Sequence, residues 1–457
     1  MTKSPVEHGA PPVRPITDWD ELSEPFRVAE KPEARWRIGA ETEKFGIIAG
    51  ARPLSYDGPN SVAVLFEWLR DERGWEPVCE QPDGAVIALT RDRQSITLEP
   101  GAQFELSGAP LPDVHAVVSE QSVHLAELGP FAERAGVTWL SVGFHPFATL
   151  AELPWVPKRR YSVMRRYLPA QGSGALDMMQ RTATTQTNFD FSSEADAMRK
   201  LRVCLKWSPV IHAMTANAPF FERRRAPMKS VRGDVWLRMD PRRSGLIAPL
   251  WPERAGYRDY VDWALDAGMF LFRRGDVVIE NTGQSFRSFL EQGYAGHRPT
   301  MDDWKLHLNS LFPEARLKST LEVRCADAQS PTFAAALIAL FTGLLYDELA
   351  LAEAEALAEP FDVREVEALR PAMVREGVTG KLAGRKVQAL AEQLCDVAAR
   401  GLERRGRLDA AGKSESAYLT PLAALVRAGK APADCLLEGL GNGDLDAKTV
   451  IDRCRVG

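Results

Sequence analysis

Acidic residues at two-residue spacing inside strand-like runs constrain this chain more than any other feature. The run Ile38-Gly39-Ala40-Glu41-Thr42-Glu43-Lys44-Phe45-Gly46 lies in a strand pattern over residues 36–48. Side chains two apart share one face of a strand, so Glu41 and Glu43 project together. Two neighbouring carboxylates repel unless a cation lies between them. Three more segments repeat the device. Over residues 95–108, Glu99 closes one strand, Pro100-Gly101 turns the chain, and Gln103 and Glu105 share a face of the next strand. Leu98, Phe104 and Leu106 remain for the core. Over residues 181–191, Gln186, Asn188 and Asp190 alternate with Thr187, Phe189 and Phe191. Over residues 312–324, Glu322 and Arg324 share a face, with Leu321 and Val323 opposite. Acids interleaved with hydrophobes on adjoining strands suit a hard-oxygen site of the kind magnesium prefers. A carboxylate beside an arginine suits a metal and the phosphate it neutralises. Each segment taken singly is equally compatible with a wet sheet face or a surface ion pair.

Other chemistries lack their signatures. There is no G-x-x-x-x-G-K-[ST] loop, and the 377–381 run is too short for one. GxSxG, HExxH and GxGxxG are also missing. His212 and His307 stand isolated in helical patterns, as core or surface residues rather than ligands. Six cysteines form no CxxC pair and no zinc spacing, and read as reduced thiols. Cys325, beside Arg324, reads as a small buried neighbour rather than a nucleophile. A net charge of -5 argues against nucleic-acid binding. No run of 18 apolar residues suggests a membrane span. The N-terminus has no apolar signal region, and residues 1–30 carry too many acids for a plastid transit peptide, so a cytoplasmic location is expected.

At 457 residues the chain suits one large domain or a few subdomains. Residues 1–30 read as a flexible arm, residues 31–330 as an α+β core, and residues 331–457 as a helical portion packed on it. Ser61 caps a helix with Val62, Leu65, Phe66 and Leu69 on one face. Strands are expected over 85–90, 94–99 and 103–107, with Asp83-Gly84 and Pro100-Gly101 supplying turns. A helix is expected over 113–135, strands over 138–143 and 184–191, and a helix from Ser193 to about 216. Strand-like pieces recur over 230–238 and 317–324.

Taken in order, RIGAETEKFG, SITLEPGAQFELSGAP, MMQRTATTQTNFDFSSEADAMRK and FPEARLKSTLEVRCAD resemble the plant and proteobacterial type of glutamate–cysteine ligase. YSVMRRYLP, LDMMQRT, NAPFFE, YVDWALDAGMF, GLLYDE and GLERRG extend the resemblance over roughly residues 35 to 440. It implies the glutamine synthetase-like carboxylate–amine ligase fold, a curved antiparallel sheet funnel with outer helices. It also implies several magnesium ions, with ATP as co-substrate. By matching position, Glu41, Glu43, Glu99, Glu105, Gln186 and Glu322 would hold metal, although more distant relatives carry histidine where Gln186 stands. Arg324 and Glu322 would serve catalysis. Arg181, Arg232, Asn188, Arg165 and Tyr161 would bind substrate. The implied reaction joins the γ-carboxylate of glutamate to the amine of cysteine through γ-glutamyl phosphate, the first step of glutathione biosynthesis. Glutathione is then an expected feedback inhibitor, and the chain a monomer or homodimer. Three rivals remain: a ligase with a different amine acceptor, a non-catalytic nucleotide-binding relative, and a purely structural α+β protein with solvated acids.

Overall fold

A computed structural model describes residues 14–456 apart from 82, 83, 276, 442 and 444. Its centre is an eleven-stranded sheet in which every pairing is antiparallel. The strands used below are β1 (Ile38–Ile48), β2 (Glu76–Cys79), β3 (Val86–Arg91), β4 (Gln94–Leu98), β5 (Phe104–Ser107), β6 (Thr138–Leu140), β7 (Thr185–Phe189), β8 (Ala315–Leu317), β9 (Leu321–Val323) and β10 (Arg455–Val456). The main path runs β8-β9-β7-β1-β5-β4-β3-β2, while β6 pairs with the far half of β1 and with β10. The arrangement is the expected α+β one.

Most of β1 is buried on both faces, because helices cover the side away from the cavity described below. The helices used below are α1 (Val62–Arg73), α2 (Val114–Ala135), α3 (Arg159–Tyr167), α4 (Ala175–Arg181), α5 (Glu194–Met214), α6 (Val231–Leu237), α7 (Pro331–Leu345) and α8 (Val387–Arg405), of which α2 and α7 pack on β1. Ser61 Oγ accepts from Val64 N at the start of α1, and the four apolar residues read from the sequence are buried. Asp113 caps α2 and Ser193 caps α5 in the same way. From residue 331 onward helices dominate, and one hydrophobic core continues across that point. Gly343 and Gly401 let α7 and α8 cross closely: a Cβ on Gly401 would lie 2.1 Å from the Gly343 carbonyl oxygen.

Three expectations change. The arm over 1–30 is docked where it is described: Asp18 caps a turn at Trp19–Ser23, Leu22 and Phe26 are fully buried, and Trp304 Nε1 donates to Leu22 O at 2.9 Å. Residues 1–13 of that arm, and Asp83 of the Asp83-Gly84 turn, lie outside the described residues. The 230–238 stretch is helix, not strand, because Ser230 Oγ accepts from Gly233 N at 2.9 Å and starts α6. The 317–324 stretch is a hairpin, β8 and β9, turned where Lys318 N donates to Thr320 O at 2.9 Å.

Candidate active site

Sheet register brings the four acidic segments together. Glu43 stands directly opposite Glu105, and Glu41 lies between Ser107 on β5 and Gln186 on β7. Glu322 faces Asn188 on one side and Arg316 on the other. The Pro100-Gly101 turn that places Glu99 is tight. Ala102 takes φ 64°, Gly101 N donates to Gln103 Oε1 at 2.9 Å, and a Cβ on Gly101 would lie 2.4 Å from Gln180 O. Only glycine fits there.

A cavity of about 250 Å³ has Glu41, Glu43, Glu99, Glu105, Gln186 and Arg324 on its sheet wall, while Glu322 and Asn188 are not among its lining residues. Lys158, Arg160, Tyr161, Arg232, Arg316 and Asn309 complete it from loops and helices. A wider cleft of about 1010 Å³ shares Lys158 and Tyr161 with it and adds Trp155, Arg159, Arg165 and Arg273.

The carboxylates form two groups with opposite electrostatics. Burial, then Glu105 and Glu99, push the Glu43 carboxyl well above the usual range. Burial, then Glu41 and Glu99, push Glu105 up to about 8. Burial and the Glu322 charge raise Glu41, whose Oε1 accepts from Asn188 Nδ2 at 2.8 Å. Like charges opposed across a ladder destabilise a sheet, so this set calls for added cations. Glu322 is the converse. Burial opposes its ionisation, but Arg316 at 2.8 Å, Lys318 at 2.5 Å and Arg324 outweigh that and hold it well below the usual range.

The donor set fits magnesium in kind, being carboxylates and one amide oxygen. Among the described residues, however, no three His, Cys, Asp or Glu side chains converge tightly enough to enclose a metal. Gln186 Oε1 accepts from Arg324, and Gln186 Nε2 donates to Glu43 Oε1 at 3.4 Å. Both Gln186 and Glu322 are thus engaged by protein cations.

Arg232, on α6, is buried and donates to Arg324 O at 2.8 Å, with Asp327 Oδ1 at 3.7 Å. Asp327 also accepts from Asn217 N at 2.7 Å and Ser230 Oγ at 2.9 Å, and burial raises its carboxyl to about 6 despite Arg232. Tyr161 Oη donates to Leu98 O at 2.6 Å and lines both cavities. Arg165 stacks on Trp155 at 4.4 Å and lines only the outer cleft. Arg181 is not among the residues lining the inner cavity. It lies between the Phe144 and Phe221 rings at 4.7 and 4.6 Å and pairs with Asp177 and Glu222. Asp190 likewise turns away, to Lys31 at 2.8 Å. Burial pushes the Cys325 thiol well up, in keeping with a packing role.

Sequence reasoning did not single out Lys158, Arg160, Arg316 or Asn309. Lys158 and Arg160 immediately precede the YSVMRRY run, and Arg316 stands opposite Glu322 once the hairpin is drawn.

The model of glutamate–cysteine ligase family 2 matches residues 37–450. A chloroplastic glutamate–cysteine ligase of Medicago truncatula is 37% identical over 438 residues, 95% of this chain and 84% of that one. Glutamate–cysteine ligase B of Oryza sativa subsp. japonica, also chloroplastic, is 38% identical over 95% of this chain and 86% of its own. A glutamate–cysteine ligase of Francisella tularensis, solved in complex with AMP, aligns with TM-score 0.53 and 12% identity, covering 93% of this chain and 88% of that one. That likeness is one of fold, and supports the carboxylate–amine ligase architecture expected above. The expected cytoplasmic location is corrected by the plant relatives, which are chloroplastic. The acid content of residues 1–30 was a poor guide to compartment. With a family model over most of its length and relatives above 30% identity, the chain belongs to the glutamate–cysteine ligase family.

Proposed function

We propose that the protein joins the γ-carboxylate of glutamate to the amine of cysteine, using ATP and magnesium, in the first step of glutathione biosynthesis. The observation that carries this reading is the buried Glu43–Glu105 opposition, with Arg324, Arg232 and Lys158 lining the same cavity.

A carboxylate is a poor electrophile because expelling oxide is prohibitive. The γ-carboxylate therefore attacks the γ-phosphorus of ATP, giving γ-glutamyl phosphate and ADP. The cysteine amine then attacks the acyl carbon and phosphate leaves. Both steps crowd negative charge, and preorganised cations supply most of the help. Magnesium on Glu43, Glu99 and Glu105, and on Glu41, Glu322 and Gln186, would screen the polyphosphate and polarise the transferred phosphoryl group. The two carboxylate groups suit more than one ion. Arg324 and Arg316 face the same region and neutralise developing charge. Arg232 and Arg160 hold carboxylates of glutamate, Asn188 orients Glu41, and Tyr161 fixes the wall that carries Glu99. Arg165 offers a cation to the outer cleft. The division at residue 330 assigns this chemistry to the α+β part and support to the helices.

The test is ADP release by the purified protein with magnesium, glutamate and a panel of amines. Release that needs both glutamate and cysteine, with γ-glutamylcysteine as product, supports the reading. Strong preference for another amine removes the acceptor assignment, and no turnover with any amine favours a non-catalytic relative. Inhibition by added glutathione, and the mass in solution, test the regulator and the oligomeric state.

A further inference from the structure

Lys44 follows Glu43 on β1 and enters the opposite side of the sheet, where α2 and the first turns of α7 cover it. It is 4% exposed. Its Nζ donates to Thr42 O at 3.3 Å and lies 3.3 Å from His124 Nε2. Among the described residues no carboxylate pairs with it, and burial draws its ammonium down to about 8 against the pull of Glu105 and Glu43. A buried ammonium with no contacting counter-charge is costly.

Beside it is a cavity of about 50 Å³ whose lining includes Thr42, Glu43, Lys44, Gln121, Ser141 and Gln329, with apolar side chains of α2 and α7 making up much of the rest. Its hydrogen-bond inventory is unbalanced. Thr42 Oγ1 donates to Gln121 Oε1 at 2.6 Å, and Ser141 Oγ donates to Gln329 O at 2.5 Å, so both hydroxyl protons are used. Gln121 Nε2 has no acceptor and Gln329 Oε1 no donor, while the Thr42 and Ser141 hydroxyl oxygens keep lone pairs. Lys44 retains a third N–H. Free donors and a positive charge thus converge on a space too small for an amino acid or nucleotide. Water would satisfy the donors but leave the charge.

We propose that this cavity binds a small monovalent anion of chloride or bromide size, held by Lys44 Nζ and Gln121 Nε2. The site lies on the reverse of the catalytic sheet and does not depend on the substrate assignment.

The experiment has two arms on the full chain. Crystals grown with bromide in place of chloride should show an anomalous peak within hydrogen-bond distance of Lys44 Nζ; bromide peaks elsewhere with none here overturn the proposal. In solution, thermal midpoints are compared in chloride and gluconate at equal ionic strength for the native protein and Lys44→Met. The native midpoint should rise by several degrees with chloride over the millimolar range, and Lys44→Met should not respond. An equal response, or none in the native protein, overturns the proposal and leaves an adventitious ion only, or water. If Lys44→Met does not fold, Gln121→Leu takes its place, with the same reading.

Discussion

Replacing Asp327 by asparagine separates the cost of a buried charge from its use. Burial raises this carboxyl to about 6 from an ordinary 3.8. A shift of about two units corresponds to about 3 kcal/mol that the ionised group costs the folded state at pH 8. Because the folded value is raised, the stability linked to the neutral form is present below pH 3.8 and lost as pH rises through about 6. Asparagine stays neutral but accepts through one oxygen only, so its NH2 faces Asn217 N or Ser230 Oγ and offsets part of the gain. Asp327→Asn should therefore gain up to about 3 kcal/mol at pH 8, and the gain should vanish toward pH 4. Arg232 meanwhile loses the one carboxylate beside it. With that charge gone Arg232 is less firmly placed, so the KM for glutamate should rise severalfold. Urea denaturation at pH 8 and 4.5, with initial rates at varied glutamate, reads both effects. A variant less stable at pH 8 with an unchanged glutamate KM would refute the reasoning.

Three further outcomes are expected. Glu43→Gln removes the repulsion with Glu105, so the metal-free protein should melt higher while ADP release falls by about 10²–10³-fold; near-normal turnover there and in Glu322→Gln would sink the assignment of metal ligands. His307, whose ring is held neutral by burial with a value near 4, gives stability present above pH 6.5 and lost as pH falls through that value; the penalty of His307→Gln should shrink by about 2 kcal/mol between pH 8 and pH 5, read by denaturant titration. Gly401→Val drives a side chain into the Gly343 carbonyl and should cost at least about 3 kcal/mol in thermal or urea unfolding, whereas an unaffected midpoint would mean that α7 and α8 do not cross as described.

The strand residues of the site were legible because two-residue periodicity states which side chains share a face, and neighbouring strands need only align. Glu41, Glu43, Glu105, Gln186 and Glu322 all lie where that rule puts them. The cations were not legible in the same way. Lys158, Arg160 and Arg316 reach the cavity through tertiary packing, which periodicity does not encode. Arg181 shows the reverse: a basic residue next to a strand of the candidate site, held by two rings and two acids of its own through Nη1, with Nε and Nη2 buried and unpartnered. The 230–238 stretch misled because Val231, Gly233 and Val235 alternate like a strand, while the deciding signal was the single hydroxyl of Ser230 at its start.

The cation cage around Glu322 makes the cavity an ion exchanger. Four glutamates of its lining face Lys158, Arg160, Arg232, Arg316 and Arg324, while Glu322 beside them holds Arg316, Lys318 and Arg324. A polyanion arriving alone has to compete for arginines already engaged, and a divalent cation arriving alone has to displace them. Arriving together under the proposed function, each would release the other's partners, the phosphates meeting guanidiniums and the metal meeting carboxylates. Nucleotide and metal should therefore strengthen each other's binding, a linkage that calorimetry of one in the presence and absence of the other would read directly.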